Sequence, residues 1–203
     1  MRISEEQLKN IRRHYGSCSS WAIWAKAEKS ALDGLSDLSV LNFEANPENR
    51  AMIHADFIIV GLNVSGPMNE SPDAPSFANF HSTSRWAKDY KMRDAFDGTP
   101  LWGSYMTDIL KNFPEVDSSK VQRYIRENPS SLDEHFGWFE HELDLLNARS
   151  ATLVALGGLT SSILKRRYSD TNSIITIKHY SSYISSVSYR DHVLDTLAAH
   201  QRI

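Results

Sequence analysis

Four functional groups, far apart along the chain, would act together on a flat polar ligand. They are the amide of Asn63, the carboxylate of Asp108, the imidazole of His179, and a ring from Phe77 or Phe80. An amide offers a donor and an acceptor, an ionised carboxylate only accepts, and a neutral imidazole does one of each. A ring supplies a face on which a planar ligand stacks. Donors and acceptors around an edge, with a ring over the face, suit a nucleobase. The bland alternatives are a turn asparagine that tolerates positive φ and phenylalanines folded back as a lid on the core.

Other chemistries find no support. The chain has no G-x-S-x-G nucleophile elbow, no Walker loop and no G-x-G-x-x-G. His135 and His141 stand six apart on a predicted helix and do not face one another, so no metal pair is expected there. The single cysteine, Cys18, excludes a disulfide framework. No cofactor and no metal are expected.

The elements that must position the four groups are legible as apolar runs. Phe57-Ile58-Ile59-Val60 reads as a buried strand, and Gly61-Leu62-Asn63 leaves its carboxyl end, where ligands bind in open α/β sheets. Residues 102–110, 151–156 and 173–177 read as three further strands, ending near Asp108, Gly157 and His179. Helices are predicted over residues 4–15, with Ser4 and Gln7 as a capping box, and over 19–32, 84–96, 117–128, 130–148, 159–168 and 188–200. Trp21 and Trp24 read as core. Residues 63–84 form a long loop carrying Phe77, Phe80 and His81. Strands separated by helices predict a three-layer α/β/α fold with a central, mostly parallel four-stranded sheet. Its strand-end loops would converge on one edge.

A chain of 203 residues with 41% apolar residues fits one domain, 1–203, with a helical part over 1–50 and an α/β core over 51–203. No stretch reaches transmembrane length and no signal peptide opens the chain, so a cytoplasmic monomer without a membrane partner is expected. A net charge of -3 gives no global attraction to nucleic acid, although a local basic stripe could serve. Lys88, Lys91 and Arg93 stand near the proposed mouth, and Lys165-Arg166-Arg167 follow the third strand. They read equally as a solvated face.

The converging segments resemble the uracil-DNA glycosylase superfamily. Gly61-Leu62-Asn63-Val64-Ser65-Gly66-Pro67 resembles its first motif in the G-x-N-P-G form, and Lys178-His179-Tyr180-Ser181-Ser182-Tyr183 resembles its second, H-P-S-x-x. Phe80-His81 with Arg85-Trp86 resembles the segment bearing the base-stacking Phe. Gly103-Ser104-Tyr105-Met106-Thr107-Asp108 resembles the strand that ends in a base-reading Asn. The four pieces stand in order over residues 50–200.

The resemblance implies a DNA glycosylase that flips a nucleotide out of the duplex. Asn63 would hold the attacking water and His179 would stabilise charge on the leaving base. Gly61, Leu62, Phe77 or Phe80, and Asp108 would bind the base. Ser65, Ser181, Ser182, Tyr183, Lys165 and Arg166 would contact DNA, with Tyr183 as the wedge.

Departures from the pattern bear on the base. Val64 and Tyr180 replace loop-stiffening prolines. An ionised Asp108 facing uracil O4 would set acceptor against acceptor at a cost of about 1–3 kcal/mol, so an exocyclic amine suits it better. Three classes therefore stay open: a glycosylase acting on DNA; a glycosylase-like protein that binds a nucleobase, nucleotide or nucleic acid without chemistry; and an unrelated small-molecule hydrolase, which the missing elbow disfavours.

Overall fold

The computed structural model describes residues 2–35, 37–64, 75–82, 84, 86–111 and 113–200. In chain order the elements are α1 (Glu5–Tyr15), β1 (Ser19–Trp21), a short 3-10 turn (Leu38–Leu41), α2 (Pro47–Met52), β2 (His54–Asn63), α3 (Tyr90–Phe96), β3 (Ser104–Leu110), α4 (Ser118–Glu127), α5 (Pro129–Leu145), β4 (Thr152–Leu156), α6 (Gly158–Tyr168), β5 (Ile174–Ile177) and α7 (Ser186–His200). The Ser4/Gln7 capping box forms as its spacing predicts, with both reciprocal hydrogen bonds made, at 3.1 and 2.9 Å.

The sheet runs β1-β3-β2-β4-β5. The last four strands are mutually parallel, and β1 closes one edge antiparallel to β3. This is the expected α/β class with a mostly parallel sheet, but with five strands instead of four. The extra strand lies where a helix over 19–32 was expected. Ser19 pairs with Thr107 and Trp21 with Tyr105. That long-range pairing overrides the local helical spacing of the tryptophans. Both rings are core as anticipated, yet on opposite sides: Trp21 beneath one face and Trp24 beneath the other.

Alternation along the strands builds two cores. Ile58, Val60, Tyr105, Leu153 and Ala155 face a layer made by α1, α4, α5 and α6; Ile59, Met106, Val154 and Leu156 face α3 and α7. Because α1 and β1 contribute to the first core, the leading residues belong to the same layered body.

One buried ion pair crosses the first core. Lys111 Nζ meets Glu142 Oε2 of α5 and the hydroxyl of Thr107, while Glu142 Oε1 accepts from Tyr105 OH at 2.7 Å and Thr107 Oγ1 at 2.8 Å. Both charges are almost wholly buried, and both carboxylate oxygens are satisfied. Among the described residues, no helix is long and apolar enough to cross a membrane.

Candidate functional site

The carboxyl ends of β2, β4 and β5 open on a cleft of about 660 Å³. Asn63 enters from β2, Gly157 to Thr160 from the β4–α6 turn, and His179 to Ser181 from the loop after β5. The connection from β3 to α4 adds Glu115, α4 adds Gln122, and the segment before α3 adds Ser82, Trp86, Lys88 and Asp89. Of the four expected to converge, Asn63, Gly157 and His179 line this cleft and Asp108 does not.

Asn63 is held by its amide nitrogen. Nδ2 donates toward three loop carbonyls, those of Val64, Phe113 and Glu115, at 2.8–3.0 Å. Three acceptors around one atom fix it as the nitrogen and leave Oδ1 as the acceptor.

His179 is held by Ser181. The Ser181 N–H donates to Nδ1 at 3.2 Å, and the Ser181 hydroxyl lies 2.7 Å from the same atom. A backbone N–H can only donate, so Nδ1 is the acceptor and the neutral ring carries its proton on Nε2. Burial lowers the imidazole pKa and favours that neutral form. The ring stacks on Tyr180, with centroids 4.4 Å apart.

The loop itself is pinned from α3. Lys91 Nζ donates to the carbonyls of Ser182 at 3.0 Å and Ile184 at 2.8 Å. These bonds stiffen the loop around position 180. Tyr180 fills that place as a buried ring whose hydroxyl pKa is pushed far up by burial and by the charges of Asp108 and Asp89.

Gly61 explains its own identity. A Cβ there would collide with Asp108 Oδ1 and approach the Phe80 ring to 3.2 Å. Glycine thus lets β2, the Asp108 carboxyl and the Phe80 ring close together. Leu62 and Asn63 beyond it line the cleft.

Several expected site residues are placed elsewhere. Phe77 is fully buried in the first core, edge-on to Trp21 with Arg12 over its ring, and offers no face to the cleft. Phe80 packs in the second core at 4% exposure and does not line the cleft. Asp108 sits inside β3, paired with Gly61, not in a loop. It accepts from Asn79 Nδ2 at 3.0 Å. Burial pushes its pKa up to about 6 against the opposing pull of Asn79 and Lys111, and Asn79 already occupies Oδ2, so it is not the cleft-facing acceptor the sequence suggests.

Lys165 and Arg166 lie in the last turn of α6, whose first turn is at the cleft. They point charge at the far end of that helix, where they complement its dipole. Lys91 and Arg93 are buried. The first holds the His179 loop, and the second binds the carbonyls of Ala31 and Asp33, leaving Lys88, among the described residues, as the lysine or arginine that lines the cleft. Ser181 and the fully exposed Tyr183 stand in the His179 loop beside the mouth, and Ser182 is half-buried there. Ser65 lies outside the described residues.

Sequence reasoning gave Trp86 no contact of its own and passed over Asp89. The predicted helix over 84–96 starts only at Tyr90. Trp86 is therefore on a loop, 73% exposed at the cleft. A lone tryptophan among Ser, Lys and Arg was a readable signal for an exposed ring. Asp89 carried none. Among the described residues, no group of three His, Cys, Asp or Glu side chains could hold a metal ion. Against known proteins, no protein-family model and no curated sequence matches the chain.

Proposed function

We propose that this cleft hydrolyses the N-glycosidic bond of a nucleobase flipped out of DNA. One observation carries the reading: Asn63 and His179 share the cleft, Asn63 held by carbonyls of Val64 and of the β3–α4 connection and His179 by Ser181 of its own loop, each in a form the reaction could use. A neutral imidazole donating from Nε2 stabilises negative charge as the base departs, and pays no cost of removing a proton from an imidazolium first. An asparagine whose nitrogen is committed to carbonyls presents Oδ1 to the water that attacks the sugar. The exposed rings of Trp86 and Tyr183 at the rim suit contacts with unstacked or duplex bases. The cleft opening of α6 and Lys88 suit a phosphate. The resemblance of the motifs around Asn63 and His179 to uracil-DNA glycosylases points the same way.

The burial of Phe77 and Phe80 favours a second reading, a cleft that binds a base without cleaving it. Release of free base from oligonucleotides carrying uracil, hypoxanthine, xanthine or mismatched thymine separates the two. The glycosylase reading expects release that Asn63→Ala abolishes while DNA binding persists. No release of any base by folded protein would leave the binding reading.

A further inference from the structure

α4 carries its charge on the side that faces away from the core. Val121 is buried, and Tyr124 and Ile125 pack against the first core, while Lys120, Arg123 and Arg126 are exposed. Glu127 is its one acidic residue, so α4 is a basic segment in a chain of net charge -3. The helix also opens on the cleft, which Ser118 and Gln122 line. Helical spacing sets Arg126 one turn beyond Gln122 on the same side, with Arg123 next to that line. From Ser118 to Arg126 the line runs about 12 Å, the rise of roughly three to four nucleotides of one B-form strand.

The side chains along this line are uncommitted. Ser118, Gln122 and Arg123 make no side-chain hydrogen bond or ion pair among the described residues. Arg126 meets Glu127 only at 3.8 Å, with both side chains largely exposed, and such a pair holds weakly. Arg93 and Arg149, by contrast, are tied to carbonyls or carboxylates. The carboxylate of Glu115 beside the cleft, which would repel a phosphate, is offset by Lys120 at 3.5 Å. α4 is also fixed relative to Asn63. The Phe113 carbonyl accepts from Asn63 Nδ2 at 3.0 Å, and the Phe113 ring stacks on Tyr124 of α4 with centroids 4.2 Å apart.

From this geometry we infer that the outer face of α4 is a backbone-binding surface, where Arg123 and Arg126 hold phosphates of the strand whose nucleotide enters the cleft. The inference rests on the DNA reading of the cleft, and it assigns the basic contacts to α4 instead of Lys165 and Arg166 at the far end of α6. A guanidinium presents a planar fork of donors that matches two phosphate oxygens at once. Phosphate contacts carry no base information, so α4 sets affinity and register and leaves the choice of base to the cleft.

The salt dependence of DNA binding tests this without requiring turnover. Fluorescence anisotropy of the whole chain on a labelled oligonucleotide, single-stranded and duplex, is followed between about 50 and 200 mM salt. Wild-type affinity should fall as salt rises. Arg123→Gln and Arg126→Gln should each make the slope of log affinity against log salt shallower by about 0.9 on duplex DNA or about 0.7 on a single strand. The loss should be the same with and without a modified base in the oligonucleotide. Both positions are exposed on a helix that tolerates glutamine, so the variants keep the fold. Lys165→Gln combined with Arg166→Gln removes equal charge elsewhere and should leave the slope unchanged. Unchanged slopes in both α4 variants, or an equal loss in the Lys165 and Arg166 pair, overturns the inference. Excision that Asn63→Ala abolishes, with slopes indifferent to α4, would keep the glycosylase reading and sink this one. Binding that depends on α4 without excision of any base would do the reverse. No salt-dependent DNA binding by folded wild type would overturn both.

Discussion

Two buried polar regions, reached from alternate residues of β3, treat their charges in opposite ways. Beneath one face, Tyr105 and Thr107 join Lys111 and Glu142 in a network where both carboxylate oxygens are taken. Beneath the other, Asp108 accepts from Asn79 and Asp89 accepts from the Trp24 indole, with no lysine or arginine hydrogen-bonded to either among the described residues. The chemical groups are alike, but the degree of satisfaction differs. A closed network serves the fold, because every desolvated atom recovers a partner from the chain.

The largest effects should fall on the closed network. Lys111→Met strands the Glu142 carboxylate in the first core and should cost about 3–5 kcal/mol in denaturant unfolding. The cleft chemistry of whatever fraction folds should be unaffected. In the cleft the ranking reverses. His179→Ala should lower single-turnover excision at least a hundredfold, or about 3 kcal/mol in the barrier, with only a minor change in melting temperature. If Lys111→Met proved mild, or His179→Ala proved chiefly a stability variant, the contrast between the regions would collapse.

Asp108 sharpens the comparison through pH. Its folded pKa, about 6, is raised above the unfolded value, so the folded state holds its proton more tightly. The stability this contributes is complete below about pH 4 and is lost as pH rises through about 6. Asp108→Asn, which can still accept from Asn79, should therefore unfold later than wild type at pH 8, by on the order of 2 kcal/mol, and the gap should close on acidification. A gap independent of pH would mean that burial does not raise the Asp108 pKa. Gly61→Ala drives a methyl against the same carboxyl and the Phe80 ring, and should cost about 1–3 kcal/mol while weakening base binding. Lys165→Ala and Arg166→Ala, at the far end of α6, should stay within about 0.5 kcal/mol and leave excision unchanged.

What could be read from the sequence follows how local each signal is. The capping box at Ser4 and the apolar runs of β2 and β4 are local, and all appear where expected. The parallel sheet and the convergence of Asn63 with His179 follow from those runs. β1 was not legible, because a three-residue strand exists only through its pairing with β3. Nor was the fate of Phe77 and Phe80. Both adopt positive φ, which sends neighbouring rings of one loop into opposite cores. Asp89 lies in an unremarkable Lys-Asp-Tyr stretch, and its significance is purely geometric: a missing cap bond and an indole approaching from behind.

The central claim is that the paired loops of Asn63 and His179 make the cleft catalytic. Its most direct test measures excision and DNA affinity on the same oligonucleotide for wild type, Asn63→Ala and His179→Ala, across pH. The account predicts wild-type excision that holds steady to below the ordinary imidazole range near pH 6.5, because burial keeps His179 neutral. Each variant should lose turnover with affinity little changed. Excision that survives both substitutions, or variants that lose affinity and turnover in equal measure, would contradict it.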